Sequence, residues 1–345
     1  MSHVIGPRRR AGEEMIEIFS TCPSSTNIAR ARYLECVADV ARWSERAGCT
    51  GILVDSDNSL VDPWMLSHII VENTETLCPL VAVQPVYTHP FWVAKQITTF
   101  GYLYGRRLLL NMVAGGFQNH PESLNDSTPD ALRHARLLEY TAMVMRLVDT
   151  SGPLTFDGAF YKSVNLKLTP PLAKALRPEV FVSGSPDAVF DAAKAMGATA
   201  ITYPKPASEE LRPANGGARL GIRVGIITRD RGDHAWTIAR SRFPEDRTGQ
   251  PTHDITLKVS DSFRQKRLSG TGAAARQESP YWLVPCENRA TLCPYLVGSY
   301  DTVAHELRRY IALGYKTFIL DVPSDPEELE HINTAFTRAQ LAVAV

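Results

Sequence analysis

The sequence predicts a closed (β/α)8 TIM barrel, and three observations carry that prediction. Short apolar runs alternate with segments of helical periodicity along most of the chain. The runs have the length that buried parallel strands need, and eight of them occur in order. The competing architecture is a doubly wound open sheet, but no glycine fingerprint follows the first strand. Gly270-Thr271-Gly272 has polar neighbours and no strand before it, so it reads as a loop pair.

The elements follow in order. Residues 15–19 alternate as a strand, and 28–47 follow with helical spacing. Residues 50–54 and 63–71 make a second strand and helix, 80–83 and 91–104 a third pair, and 108–113 and 129–148 a fourth. The fifth pair is 180–182 with 187–196, and 199–203 is the sixth strand. Residues 221–227 read as one seventh strand, followed by a helix near 234–242. An eighth strand at 317–321 precedes a closing helix at 326–343. Two stretches depart from this alternation as insertions after strands 4 and 7. Residues 150–168 place turn residues between β-prone runs, as a hairpin does. Residues 243–289 are long and rich in charge, Gly and Ser, which suits a mobile lid at the active-site end. The rest of 15–345 reads as one domain behind a polar tail, 1–14.

Composition narrows the partners. Of 345 residues, 44% are apolar and 21% charged, which is ordinary for a globular chain with a large core. Thirty-seven basic and 37 acidic residues cancel, so no overall field draws nucleic acid or an anionic membrane. A small-molecule partner is expected instead. Arg8-Arg9-Arg10, in the tail, reads as a solvated flank. No signal-peptide core appears, nor any run near the roughly 18 apolar residues of a spanning helix. Cys22, Cys36, Cys49, Cys78, Cys286 and Cys293 form no CxxC pair, and the nine histidines no HExxH motif. Free thiols, a cytoplasmic location and no metal site are the expectations.

The joint between the fifth strand and its helix is Ser183-Gly184-Ser185-Pro186-Asp187. Backbone N–H groups at a helix start, a glycine allowing close approach and two hydroxyls can seat a phosphate. The plainer reading, favoured from these residues alone, is that Ser185 or Asp187 caps the helix. Asp55, Gln84 and Asn111 also stand at or near the ends of strands, where a barrel gathers its active site.

With these pieces in place the chain resembles the bacterial luciferase-like, flavin-dependent monooxygenases, and within them the alkanesulfonate monooxygenase branch. The resemblance runs from about residue 15 to the end. It rests on Gly51-Ile52-Leu53 with Asp62-x-Trp64, on Gln84-Pro85 through Pro90, and on Leu110-Asn111-x-Val113-x-Gly115. Phe156-x-Gly158 with Tyr161, the Ser183 turn, Gly221-Ile222-Arg223 and Leu296-Val297-Gly298 complete it. No single piece is specific, but the order and spacing together are.

The resemblance implies FMN that arrives reduced from a separate flavin reductase, O2 as co-substrate and oxidation of an organic molecule through a flavin peroxide. It implies that Ser183, Gly184 and Ser185 hold the phosphate, and that Asp55, Gln84, Asn111 and His134 face the flavin. Arg223 and Arg289 match active-site arginines of the sulfonate branch, and Trp282 keeps its spacing before the second. Each arginine has a structural ion pair as its alternative, and His134 a plain place on a helix. Leu60, Gly225 and Pro323 replace that branch's cysteine, histidine and tyrosine, so an alkanesulfonate is not the expected substrate. Leu60 and Trp282 are expected to contact substrate, and His89 is a candidate base whose alternative is helix entry. Tyr87 and Trp92 are further aromatics near the mouth. A homodimer or homotetramer is the expected assembly. Two other readings stay open: a deazaflavin-dependent oxidoreductase on the same barrel, and a flavin-binding protein without catalysis.

Overall fold

The computed structural model describes residues 15–26, 28–115, 124, 126–184, 186–210, 217–244, 279–287 and 290–341. The expected tail and most of the expected lid, 245–278 with Arg289, lie outside the described residues, as does Ser185.

Eight parallel strands close the barrel: β1 (Glu17–Thr21), β2 (Gly51–Val54), β3 (Cys78–Val83), β4 (Leu109–Val113), β7 (Val180–Ser183), β8 (Thr199–Thr202), β9 (Arg219–Arg223) and β13 (Tyr315–Ile319). Around the ring they run β1-β13-β9-β8-β7-β4-β3-β2, with β2 pairing β1 to close it. The described helices are α1 (Arg30–Arg46), α2 (Pro63–Glu72), α3 (Pro90–Tyr104), α4 (Asp130–Asp149), α5 (Pro186–Met196), α6 (Gly232–Arg242), a short α7 (Val284–Glu287), α8 (Tyr300–Ala312) and α9 (Pro326–Leu341). The hairpin expected at 150–168 is β5 (Leu154–Asp157) with β6 (Lys162–Leu166). Glu139 of α4 pins its loop by accepting the N–H groups of Ala159, Phe160 and Tyr161 at 2.8, 2.8 and 2.6 Å.

Local chemistry starts the helices where the sequence suggests. Pro63 opens α2, and the Asp62 carboxylate accepts the N–H groups of Trp64 and Met65 at 2.9 and 3.1 Å. Pro90 opens α3, and Gly105 ends it at φ 59°, a left-handed conformation that suits glycine.

The seventh unit differs from expectation. The apolar run read as one strand is two: β9 stays in the barrel, while β10 (Gly225–Arg229) leaves it after a single residue, Val224. A strand cannot follow both directions, and Val224 bends the path with no Gly-Pro turn to announce it. β10 pairs in parallel with β12 (Tyr295–Ser299), and β12 pairs antiparallel with β11 (Tyr281–Trp282). Of this small sheet only β11 falls within the insertion expected at 243–289; β10 precedes it, and β12 and α8 follow it.

The pleat sets the barrel's interior. One buried cluster draws Phe19, Leu53, Leu80, Leu109, Phe181, Ile201 and Ile319 from seven different strands. Phe19 and Phe181 meet edge to face, 5.5 Å between ring centres. β9 contributes Gly221 instead, where a Cβ would lie 2.5 Å from Ile201 Cδ1 and 2.8 Å from Thr317 Cβ. A larger cluster fills the space between strands and helices.

Gly51 is similarly confined: a Cβ there would lie 2.3 Å from the Cys78 carbonyl oxygen, a backbone atom that cannot swing aside. Gly51→Ala is therefore expected to destabilise the fold by roughly 1–3 kcal/mol. Gly152→Ala, whose nearest such neighbour is 4.0 Å away, should stay within about 0.5 kcal/mol. Urea denaturation of the two variants checks this, and equal midpoints would show that β2 tolerates the added methyl.

Candidate active site

Side chains two residues apart on a strand share a face. Counting upward from the apolar interior layer therefore gives the next layer: Thr21 above Phe19, Asp55 above Leu53, Asn111 above Leu109, Ser183 above Phe181, Arg223 above Gly221, and Asp321 above Ile319. Gln84 stands two steps above Leu80. All of them line one cavity of about 920 Å³ at the C-terminal end of the barrel, a size typical of a small-molecule site.

The cavity has two unlike sides. Gln84, Asn111 and Ser183 come from the neighbouring strands β3, β4 and β7. Ser183 Oγ donates to Asn111 Oδ1 at 2.7 Å, which spends its only hydrogen. Gln84 Nε2 donates to the Ser56 carbonyl at 2.8 Å, which fixes the amide and leaves Oε1 buried with no partner. Gly184, on the same wall, has open space where a Cβ would stand. His134 joins from α4, and burial lowers its pKa, so its imidazole is neutral near pH 7.

The other side is charged. Arg223 Nη1 and Nη2 donate to the two carboxylate oxygens of Asp55 at 3.0 and 2.8 Å. The guanidinium is 8% exposed and the carboxylate 28%. Burial opposes the arginine's charge, yet Asp55 and other neighbours outweigh it and hold the pKa well above the usual value. Arg223 Nε remains buried without a partner.

Sequence reasoning missed Cys22, Tyr295 and Asp321 on the wall. Cys22 follows β1 on the wall, and burial pushes its thiol pKa up, so it is a neutral apolar contact. Tyr295, of the small sheet, reaches the cavity because Gly225 has no side chain; a Cβ there would lie 2.3 Å from the ring. Its hydroxyl donates to Asp321 Oδ2 at 2.8 Å. Gly225, which the expected resemblance set against a histidine, was the available signal.

Asp55, Leu60, Gln84, Asn111, His134, Ser183, Gly184 and Arg223 are thus together on one cavity. Two expected residues are placed elsewhere. His89 is exposed, and its Nδ1 accepts the Phe91 N–H at 3.2 Å, the capping role that the helix entry allows. Trp282 packs edge to face on Trp236 and Phe243, 5.6 and 6.0 Å between ring centres, inside the cluster between the small sheet and α6. Tyr87 is likewise off the described wall, and Trp92 is 49% exposed. Ser185 and Arg289 lie outside the described residues.

The comparisons agree with this architecture. The model of the luciferase-like monooxygenase family matches residues 15–317. The 4-(gamma-L-glutamylamino)butanoyl-[BtrI acyl-carrier protein] monooxygenase BtrO of Niallia circulans is 30% identical over 314 residues, covering 88% of this chain and 91% of the relative. Among solved structures, the long-chain alkane monooxygenase LadA superposes with TM-score 0.73 at 15% identity, covering 96% of this chain and 92% of its own. The EDTA monooxygenase EmoA of Chelativorans sp. BNC1 gives 0.72 at 15%, covering 95% and 94%. An F420-dependent secondary alcohol dehydrogenase gives 0.66 at 13%, covering 94% and 99%. These three likenesses concern the fold. The chain belongs to the luciferase-like monooxygenase family, and is an oxidoreductase of that kind.

The ion pair yields a stability test. Asp55→Ala would leave the Arg223 guanidinium buried without its counter-charge, at an expected cost of roughly 3 kcal/mol. Replacing both partners, as Asp55→Leu with Arg223→Met, should restore most of that loss, because no charge is then stranded. A denaturation midpoint for Asp55→Ala equal to that of the parent would show that the pair contributes nothing to folding.

Proposed function

We propose that the chain is a reduced-FMN- and O2-dependent monooxygenase that oxidises a small organic molecule other than a simple alkanesulfonate, with a separate reductase supplying the flavin. The wall of Gln84, Asn111, Ser183 and Gly184 carries this reading. It is neutral, it holds a lone buried acceptor at Gln84 Oε1, and it ends in a glycine open to the cavity at the start of α5. Such a wall fits a flat ring with an N–H edge and a phosphate tail.

Members of the family generally use reduced flavin and O2, and reduced FMN bound here would supply the oxygen-activating chemistry. The chain's own groups would bind and orient. Backbone at Gly184 and the N-terminus of α5 would hold the phosphate, with Ser183 fixing Asn111 rather than donating to the phosphate itself. Gln84 Oε1 would accept an N–H, and an unmade bond at that buried oxygen would otherwise cost about 1–3 kcal/mol. Arg223, its charge matched by Asp55, would act with it as one fixed neutral pair on the cavity wall. Leu53, Leu60 and Cys22 would keep water from the reacting face.

A sulfonate fits poorly. Arg223 has two of its N–H groups committed to Asp55, and Leu60 and Pro323 offer no polar hydrogen. The Niallia relative, by its name, acts on an acyl chain carried by a protein, which accords with a substrate of another class.

Anaerobic titration tests the cofactor. Reduced FMN should bind more tightly than oxidised FMN, and FMN more tightly than riboflavin. Ser183→Ala should weaken FMN by roughly 1 kcal/mol by loosening Asn111. Equal binding of FMN and riboflavin would remove the phosphate seat, and tighter binding of reduced F420 than of reduced FMN would move the reading to deazaflavin chemistry. With reduced FMN and O2, sulfite release from octanesulfonate should stay far below the roughly 1 per second of a dedicated enzyme. A rate at that level would overturn the exclusion of sulfonates.

A further inference from the structure

The charges on the cavity wall do not balance locally. Asp55 and Arg223 neutralise each other. So do Asp130 and Arg133, 2.8 Å apart, and Arg242 with Glu328 just behind the wall, at 2.6 Å. Burial keeps His134 neutral. Asp57, at the rim, folds back to accept the N–H and hydroxyl of Ser59.

Asp321, beyond the end of a barrel strand, has no ion-pair partner among the described residues. Its two recorded donors are both neutral, Tyr295 Oη at 2.8 Å and the Val322 N–H at 2.9 Å. Among the described residues no Lys, Arg or His forms an ion pair with it within 4.0 Å. A carboxylate offers about four acceptor sites, so two are open. Tyr295 is itself fixed, 2% exposed, with its ring against Gly225. Burial and the adjacent Asp321 raise its pKa well above the usual value, so it remains a neutral donor. The phenol therefore orients the carboxylate without cancelling its charge.

We infer that Asp321, oriented by Tyr295, selects a substrate bearing a protonated amine and rejects carboxylates and sulfonates. An ammonium group brings both the missing charge and N–H donors for the open lone pairs. An anion placed there would meet like charge. Asp321 stands two residues beyond β13, which is flanked by β1 and β9, across the ring from the β4 and β7 groups assigned to the flavin. Both molecules then fit on separate sides. The inference rests on the proposal that this cavity is the reaction site, and Tyr295 acts in it as a positioning residue.

Three probes with one chain length test the inference: octylamine, octanoate and octanesulfonate, titrated calorimetrically into the full chain at pH 7 without flavin. Octylammonium should bind about tenfold or more tightly than either anion. Asp321→Asn should abolish that preference, and Tyr295→Phe should reduce it while a control, Asp301→Asn, leaves it unchanged. Asp301 lies on α8, paired with Arg338 and away from the cavity. An anion binding as well as the amine in the parent chain overturns the inference, even if Asp321→Asn fails to fold. So does a preference that survives in folded Asp321→Asn. Since no flavin is present, a chain that ranks the probes as expected but does not bind reduced FMN loses the cofactor reading and keeps this one.

Discussion

The period-two pleat of eight parallel strands ties the candidate site to the core beneath it. Phe19, Leu53, Leu80, Leu109, Phe181, Ile201 and Ile319 fill the barrel as one buried cluster. Burying each such side chain stabilises the fold by about 1.5–3 kcal/mol. A one-residue slip in any strand would turn its member outward. The same slip would turn away the polar residue two positions on. Packing energy therefore holds the cavity groups in register, although none of them contributes much to the core. Gly221 completes the layer on the strand that carries Arg223, where the neighbouring Ile201 and Thr317 take up the space of a side chain.

That link explains why much of the site was legible before the structure. Asp55, Gln84, Asn111, Ser183 and Arg223 each follow an apolar run at the end of a strand, and strand ends meet at one mouth in a barrel. Gly184 was legible as a glycine at a strand-to-helix joint. Trp282 and His89 were not, because spacing in a loop says nothing of direction. Trp282 belongs to a two-residue strand paired with β12, in a small sheet outside the barrel. His89 could be a base or a cap by sequence, and the adjacent Pro90 opening α3 left it in the capping position.

The fold was legible for the same reason and failed at one joint. The run containing β9 and β10 is apolar throughout, and a single residue, Val224, separates the two strands. Apolar periodicity reports burial, and both strands are buried, so it could not show that they belong to different sheets. β12 and α8 carried ordinary signals: an apolar run, Ser299 accepting the Thr302 N–H at 3.2 Å, and inward Val303, Ala304, Leu307 and Tyr310 at helical spacing. Their position after a long polar insertion, outside the simple alternation, hid them.

The departure of β10 from the barrel also shapes the chemistry. By leaving after Arg223, the chain places Gly225 opposite Tyr295 in the small sheet. The missing side chain at Gly225 is filled by a phenol from another strand. The wall therefore keeps a hydrogen-bonding group beside Gly225, a tyrosine aimed at Asp321. A histidine can carry a positive charge near neutral pH, whereas this buried tyrosine stays neutral. Arg223, bound to Asp55, is the one buried cation among the described wall groups at the strand ends. With its charge already matched, the arginine adds little net attraction for an anion. The electrostatic character of the cavity at this wall is therefore set by Asp321, a carboxylate whose donors, Tyr295 and the Val322 N–H, are neutral, and the tyrosine that orients it is there because one strand leaves the barrel.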